Sequence, residues 1–349
     1  MTKLKFATTY SFDYSLTPNS IIECQNGDYI IVGKAHNKDS HSSAFAIRVN
    51  YKGNVIWKKI YSSPLPQFFT SIIQTTNGDL VATGIYYYSE YASDEYTWIV
   101  KLDENGNIVW QKTLGFVGMQ SEGYDICATS DGGFAITSLF YNGISYKTRI
   151  FKFNNEYELQ WDELFDIGVA FSIVETMDNG FMLSGAINTL NSSLNNIFIL
   201  RIDSNGKKLW DRIYSEFIDS DIVNSSIIEM KNGHFAVVAK SIIFEINSIG
   251  NIVWSKKNSN YKLNNIIQSK EGNYIISGSS TINNNSHAFI ECIGSNNQES
   301  LWSTTELLYP SETTDLILSK EDYLVTCGYA PINTDKSLVC FALDRKSVV

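Results

Sequence analysis

The sequence predicts an all-β fold, a seven-bladed β-propeller built of four-stranded antiparallel blades. Three observations predict it. A hairpin closing on tryptophan recurs about every 50 residues, at Trp57, Trp110, Trp161, Trp210, Trp254 and Trp302. A second, glycine-centred hairpin precedes each of these. The chain also begins with a strand that has no sheet and ends with a sheet that lacks a strand.

The tryptophan hairpin is clearest at 98–114. Trp98, Val100 and Leu102 alternate with Ile99, Lys101 and Asp103, the period of a strand. Asp103-Glu104-Asn105-Gly106-Asn107 then supplies turn formers, with Gly106 free to take positive φ. Ile108, Val109 and Trp110 open the returning strand. Copies stand at 45–61, 197–214 and 242–254, and weaker ones end at Trp161 and Trp302. A residue repeated at one structural position serves the repeat, so these indoles read as packing between sheets.

The second hairpin runs Ile21-Ile22, a turn at Gln25-Asn26-Gly27-Asp28, then Tyr29-Ile30-Ile31-Val32. Its seven copies carry Tyr29, Leu80, Phe134, Phe181, Phe235, Tyr274 and Tyr323 at one position. Each unit thus has four strands, except that the seventh stops after its third, Leu338 to Asp344. Leu4 to Tyr10, with Phe6 in the tryptophan position, matches a fourth strand. The expectation is a single domain over 1–349, closed by the N-terminal strand completing the last blade and leaving no open edge. Gly33, Gly84, Gly185, Gly278 and Gly328, which recur after the second strand, mark a backbone requirement.

A net charge of −10 and a pI near 5.0 argue against nucleic acid or an anionic membrane as the main partner. No run of 18 apolar residues spans a membrane. The first ten residues lack an apolar signal core, so a cytoplasmic location is expected. Cys24, Cys127, Cys292, Cys327 and Cys340 are scattered and read as buried thiols, with a bridge between Cys327 and Cys340 open on adjacent strands. His36 and His41 flank Asp39 without a recognised ligand spacing. With no phosphate loop, nucleophile elbow or paired-cysteine site, no cofactor or metal is expected.

Chain direction sorts the connections onto two faces, one of stereotyped turns and one of variable loops, where binding residues concentrate. The richest variable loop, 85–96, carries Tyr86, Tyr87, Tyr88, Tyr91 and Tyr96 with Glu90, Asp94 and Glu95, and the preceding connection holds Phe68 and Phe69. Tyrosines beside carboxylates suit stacking on sugars or gripping a peptide. On the innermost strands, Glu23, Glu175 and Glu229 stand three residues after a small polar position. They form either an acidic channel for a cation or ties to neighbouring backbone. The leading expectation is a non-catalytic propeller that recognises a protein, peptide or glycan on the variable-loop face. The alternative is a hydrolase or lyase at the mouth of the central channel.

Asp103-Glu104-Asn105-Gly106-Asn107-Ile108-Val109-Trp110 resembles the repeat of bacterial propellers of the quinoprotein and WD40-like superfamily. Asp131-Gly132-Gly133-Phe134 is similar to a hairpin common in bacterial repeat proteins of that sort. The resemblance spans nearly the whole chain and implies the fold. The quinoprotein enzymes have eight blades and a set of cofactor and calcium ligands that this chain does not match, so their activity is not implied.

Overall fold

The computed structural model describes residues 3–10, 13–36, 41–89, 94–188, 195–219, 224–282, 285–296, 298–304, 312–332 and 335–344. Among them stand 28 strands and no helix, hence no helix long and apolar enough to cross a membrane. β1 is Lys3–Tyr10. Six sets of four follow: β2–β5 (Ser15–Glu23, Tyr29–His36, Ser43–Val49, Val55–Tyr61), β6–β9 (Gln67–Gln74, Leu80–Tyr87, Glu95–Leu102, Ile108–Leu114), β10–β13 (Gln120–Ala128, Phe134–Tyr141, Tyr146–Phe153, Leu159–Phe165), β14–β17 (Val169–Glu175, Phe181–Asn188, Asn195–Ile202, Lys208–Asp219), β18–β21 (Ser225–Glu229, Phe235–Ala239, Ile242–Ile246, Ile252–Lys257) and β22–β25 (Tyr261–Gln268, Tyr274–Ile282, Asn285–Ile293, Ser300–Thr304). A set of three ends the chain, β26–β28 (Glu312–Leu318, Tyr323–Ile332, Asp335–Asp344).

Each set is an antiparallel meander. β1 pairs antiparallel with β28, so the last sheet runs β1-β28-β27-β26. One parallel bridge, Gln120 to Glu95, joins β6–β9 and β10–β13 into an eight-stranded sheet.

The turns follow from their side chains. Asp103 Oδ1 accepts the backbone N–H of Asn105 at 2.9 Å and of Asn107 at 2.7 Å, and Gly106 takes φ +73°. Asn50, Asp203 and Asn247 fold their turns in the same way. Tyr157 occupies the glycine position of one turn at φ 67° and lays its ring on Trp110.

The core lies between sheets. Phe69 stacks on Trp98 at 4.9 Å among Ile30, Val32, Ala44 and Ala46 of the preceding sheet. Phe6, Tyr29, Ile31, Val325 and Cys340 fill the space between the first and last sheets. The repeated tryptophans cover the turn of the next set: a Cβ at Gly106 would meet Trp57 at 2.7 Å, and one at Gly250 would meet Trp210 at 3.0 Å. Phe6 covers Gly53 in the same way, at 2.6 Å.

Two sequence expectations need correction. Phe68 and Phe69 lie inside β6, and Tyr86 and Tyr87 inside β7, not in connections. The first strands carry a β-bulge at Asn19, Thr70, Tyr124, Phe171, Asn264 and Thr314. A bulge shifts the two-residue period by one, so alternation breaks mid-strand and each strand reads as shorter than it is. Of the cysteines, Cys127 is only half-buried; Cys327 and Cys340 are direct cross-strand partners, yet both are unbridged.

Candidate functional site

The first strands converge on a cavity of about 130 Å³, with lining from β2, β6, β10, β14, β18, β22 and β26. It opens into a mouth of about 320 Å³. The bulges build this mouth. All six bulged side chains line the cavity, because a bulge re-aims its residue off the regular pleat.

The repeated glycines make the bulges possible. A Cβ at Gly84 would lie 2.0 Å from the Phe68 carbonyl oxygen, and one at Gly278 would lie 1.9 Å from that of Lys262. Gly33, Gly185 and Gly328 face the same clash. In β11 the equivalent residue is Ser138, and there the partner strand supplies Gly123 instead. In β19 it is Ala239, and β18 has no bulge.

Below the mouth, polar side chains join neighbouring sheets. Asp125 accepts from Ser71 Oγ at 2.8 Å and from the Ile173 N–H at 3.0 Å. Asp315 accepts from the Ile21 N–H at 2.7 Å and from the Asn265 amide. Glu23 Oε2 accepts the Lys320 N–H, Glu175 Oε2 the Ser130 N–H and Glu229 Oε2 the Met177 N–H, each at 2.8 Å. Gln74 and Gln268 accept from Gln25 and Lys231 in the same positions.

The tyrosine-rich segment divides by role. Phe69 is fully buried and Tyr86 packs on Trp98, so both belong to the core. Phe68 lines the mouth, with the Lys34 ammonium 4.5 Å from its ring centroid; burial lowers the Lys34 pKa. Tyr88 is 63% exposed and meets Tyr96 edge-on at 5.3 Å. Asp94 accepts the Gly118 N–H at 2.7 Å, which ties this loop to residues 115–118. Glu90 and Tyr91 lie outside the described residues, as does Asp39 of the His36–His41 trio; among the described residues no three metal-ligating groups come together.

Tyr87 and Glu95 lead to two partners that the sequence reading missed, Glu122 and Tyr124. The Tyr87 hydroxyl lies beside Glu95, Glu95 lies beside Glu122, and Glu122 accepts from the Tyr124 hydroxyl at 2.9 Å. The bridge between Glu95 and Gln120 brings these strands together. Beneath it, the buried hydroxyls of Thr97, Ser121 and Ser138 bond one another at 2.7–3.3 Å. Glu95 is 5% exposed, and its Oε2 has no hydrogen-bond partner among the described residues. Burial, and then the neighbouring Glu95, push the Glu122 carboxyl up to about 8. The pair was hidden in the sequence because it depends on contact between two sets, which no local spacing encodes.

Exposed apolar groups lie in the segments that flank the strands of this pair. Phe116, Val117, Ile144 and Tyr146 are 51–86% exposed, and Tyr88 joins them. Phe116 rests on the Arg149 guanidinium at 5.1 Å, whose Nε and Nη2 donate to the two oxygens of Asp162. A groove of about 420 Å³ on the opposite turn face, beside Arg48 and Lys101, has its cations paired with Asp28 and Asp79.

No family model and no curated protein matches the chain. Solved structures do. The Dos1 propeller superposes with a TM-score of 0.59 at 12% identity, over 97% of this chain and 95% of that one. Sqt1 of Chaetomium thermophilum gives 0.57 at 11%, over 89% and 80%. BBS1N, solved in complex with ARL6DN, gives 0.57 at 13%, over 99% and 97%. At such identities the likeness shows the fold alone: the chain is a β-propeller.

Proposed function

We propose that this chain is a non-catalytic binding propeller that holds a polypeptide segment of a protein partner on its variable-loop face. One observation carries the reading: Tyr88, Phe116, Val117, Ile144 and Tyr146 gather, exposed, around the junction of β6–β9 with β10–β13. Exposed apolar groups grouped on a rigid scaffold mark interaction surfaces. Val117 and Ile144 offer no ring for a sugar to stack on, which favours polypeptide over glycan. The complex of BBS1N with ARL6DN is a precedent for a protein partner on this fold.

Within this reading the eight-stranded sheet counts as two blades, and β1 completes a seventh, closing one domain over 1–349. The bonds from Lys320 to Glu23 and from Ile21 to Asp315 support that closure. Kinship with bacterial quinoprotein-like propellers and a cytoplasmic location belong to the same proposal.

A hydrolase or lyase at the mouth is a second reading, and it draws on the Glu95–Glu122 pair. Binding is favoured because Glu95 is buried, only 5% exposed, whereas a glycosidase pair flanks the scissile bond in an open site, its carboxyls about 5 Å or more apart.

A photo-crosslinking residue placed at Ile144 or Val117 tests the proposal in a lysate of the source organism. Partner adducts are expected there and not from Met177 or Ile249, which are comparably exposed on the turn face. Adducts from all four positions alike, or from none, would reject the proposal.

A further inference from the structure

We propose that the Glu95–Glu122 pair is the receptor for a lysine or arginine side chain of the bound polypeptide. The inference rests on the reading of this face as a partner surface and names the chemistry that surface selects.

The pair is short of donors and of positive charge. Glu95 faces Tyr87 from β7 and Glu122 from β10, and its Oε2 remains buried without a partner among the described residues. Glu122 faces Tyr124 on its own strand, and Tyr146 of β12 lies close to Tyr124. Neither carboxyl has an ion pair with a lysine or arginine of the described residues. Lys262 at the mouth is held by Glu312 at 2.6 Å, and Arg149 by Asp162. A buried acceptor left unpaired is costly. An ammonium or guanidinium would supply both the missing hydrogen-bond donors and the opposite charge.

The approach suits a long cationic side chain. Tyr124, whose hydroxyl reaches Glu122, lines the mouth of about 320 Å³ beside Phe68 and Phe171. Tyr124 and Phe171 meet edge-on at 5.3 Å, and such rings attract a cation that passes over their faces. The exposed apolar residues in the segments that flank these strands would hold the neighbouring residues of the bound polypeptide. The net charge of −10 steers a basic partner toward the whole molecule.

Panning a phage-displayed library of random dodecapeptides on the full chain tests this. The expected result is enriched peptides that share a lysine or arginine at one position. Acetylating that lysine, or replacing the basic residue with norleucine, should weaken binding at least tenfold, as should Glu95→Gln and Glu122→Gln. The peptide substitutions leave the protein untouched, so they decide the matter even if a variant fails to fold. Enriched peptides without a common basic residue, or with affinity indifferent to its removal, would overturn the inference and leave the partner surface standing. A library that yields no binder would overturn both.

Discussion

The backbone N–H of Lys320 donates to Glu23 Oε2 at 2.8 Å, joining the last sheet to the first. The Lys320 ammonium adds bonds to the Cys24 and Gln25 carbonyls at 3.3 and 3.1 Å. Gln74 and Gln268 make the same contact between other sheets without a charge. The bond therefore needs an acceptor oxygen, not an anion. Glu23→Gln is expected to leave stability within about 0.5 kcal/mol of the wild type, whereas Glu23→Ala costs about 1 kcal/mol. Urea denaturation checks both. Equal losses in the two variants would mean that the carboxylate charge itself matters, as it would in a cation channel.

The bulges give a sharper prediction. Alanine at Gly84 would push its Cβ to 2.0 Å from the Phe68 carbonyl oxygen, a backbone atom that β6 holds in place. Gly84→Ala should cost on the order of 3 kcal/mol or more, through strain that neither strand can relax. It should also disturb Thr70 and Phe68 at the mouth, visible as amide shifts in β6. Thr83→Ala, one residue away, removes a buried hydroxyl bond to the Trp98 carbonyl but leaves the bulge intact. Its expected cost is about 1–2 kcal/mol.

These glycines also show how far the sequence was legible. Their recurrence was plain, and so was the demand they place on the backbone. The bulge they accommodate was not, because one extra residue in a strand leaves no compositional mark and only slips the alternation. Turns could be read from local chemistry, since Asp103 and Asn50 fold their own backbone. The pairing of β1 with β28 was readable because Phe6 matches the repeated tryptophans. Glu95 and Glu122 could not be paired from sequence. Their contact depends on a single bridge between two sheets that have no equivalent bridge elsewhere among the described residues.

The carboxyl pair makes stability depend on pH. The Glu122 pKa is pushed from an ordinary 4.5 up to about 8, first by burial and then by Glu95, so the folded protein holds a proton that the unfolded chain releases. Where the native state binds more protons, stability falls as pH rises. The loss should begin near pH 4.5, grow through the window to about 8, and level off above it. Its size is at most on the order of 5 kcal/mol. Asp315, pushed up to about 6 by burial, adds a fall of the same sign that ends earlier. Asp178 is held down at about 2, but it is largely exposed and adds little. Glu122→Gln should flatten the curve above pH 6 and leave the Asp315 portion. Urea midpoints across pH 5–9 give the measurement, and an unchanged slope in the variant would exclude Glu122 as its source.

Phe6 offers a test of how the repeat treats its one non-tryptophan member. Its ring covers Gly53 as Trp57 covers Gly106, and a Cβ at either glycine would sit within 2.7 Å of the ring above it. Four residues on, the Tyr10 hydroxyl donates to the Gly53 carbonyl at 2.9 Å, and Tyr61 donates to that of Gly106 at 2.8 Å. The two sites therefore have the same architecture around rings of different size. Phe6→Trp should be accepted with a change within about 1 kcal/mol, because the larger ring has a working template one sheet away. Phe6→Ala removes an aromatic side chain from a packed boundary and should cost about 3 kcal/mol. The loss should appear first as faster amide exchange in β28, whose outer edge β1 covers. Exchange that rises uniformly across the sheets instead would mean that β1 contributes to the whole molecule rather than to the boundary it seals.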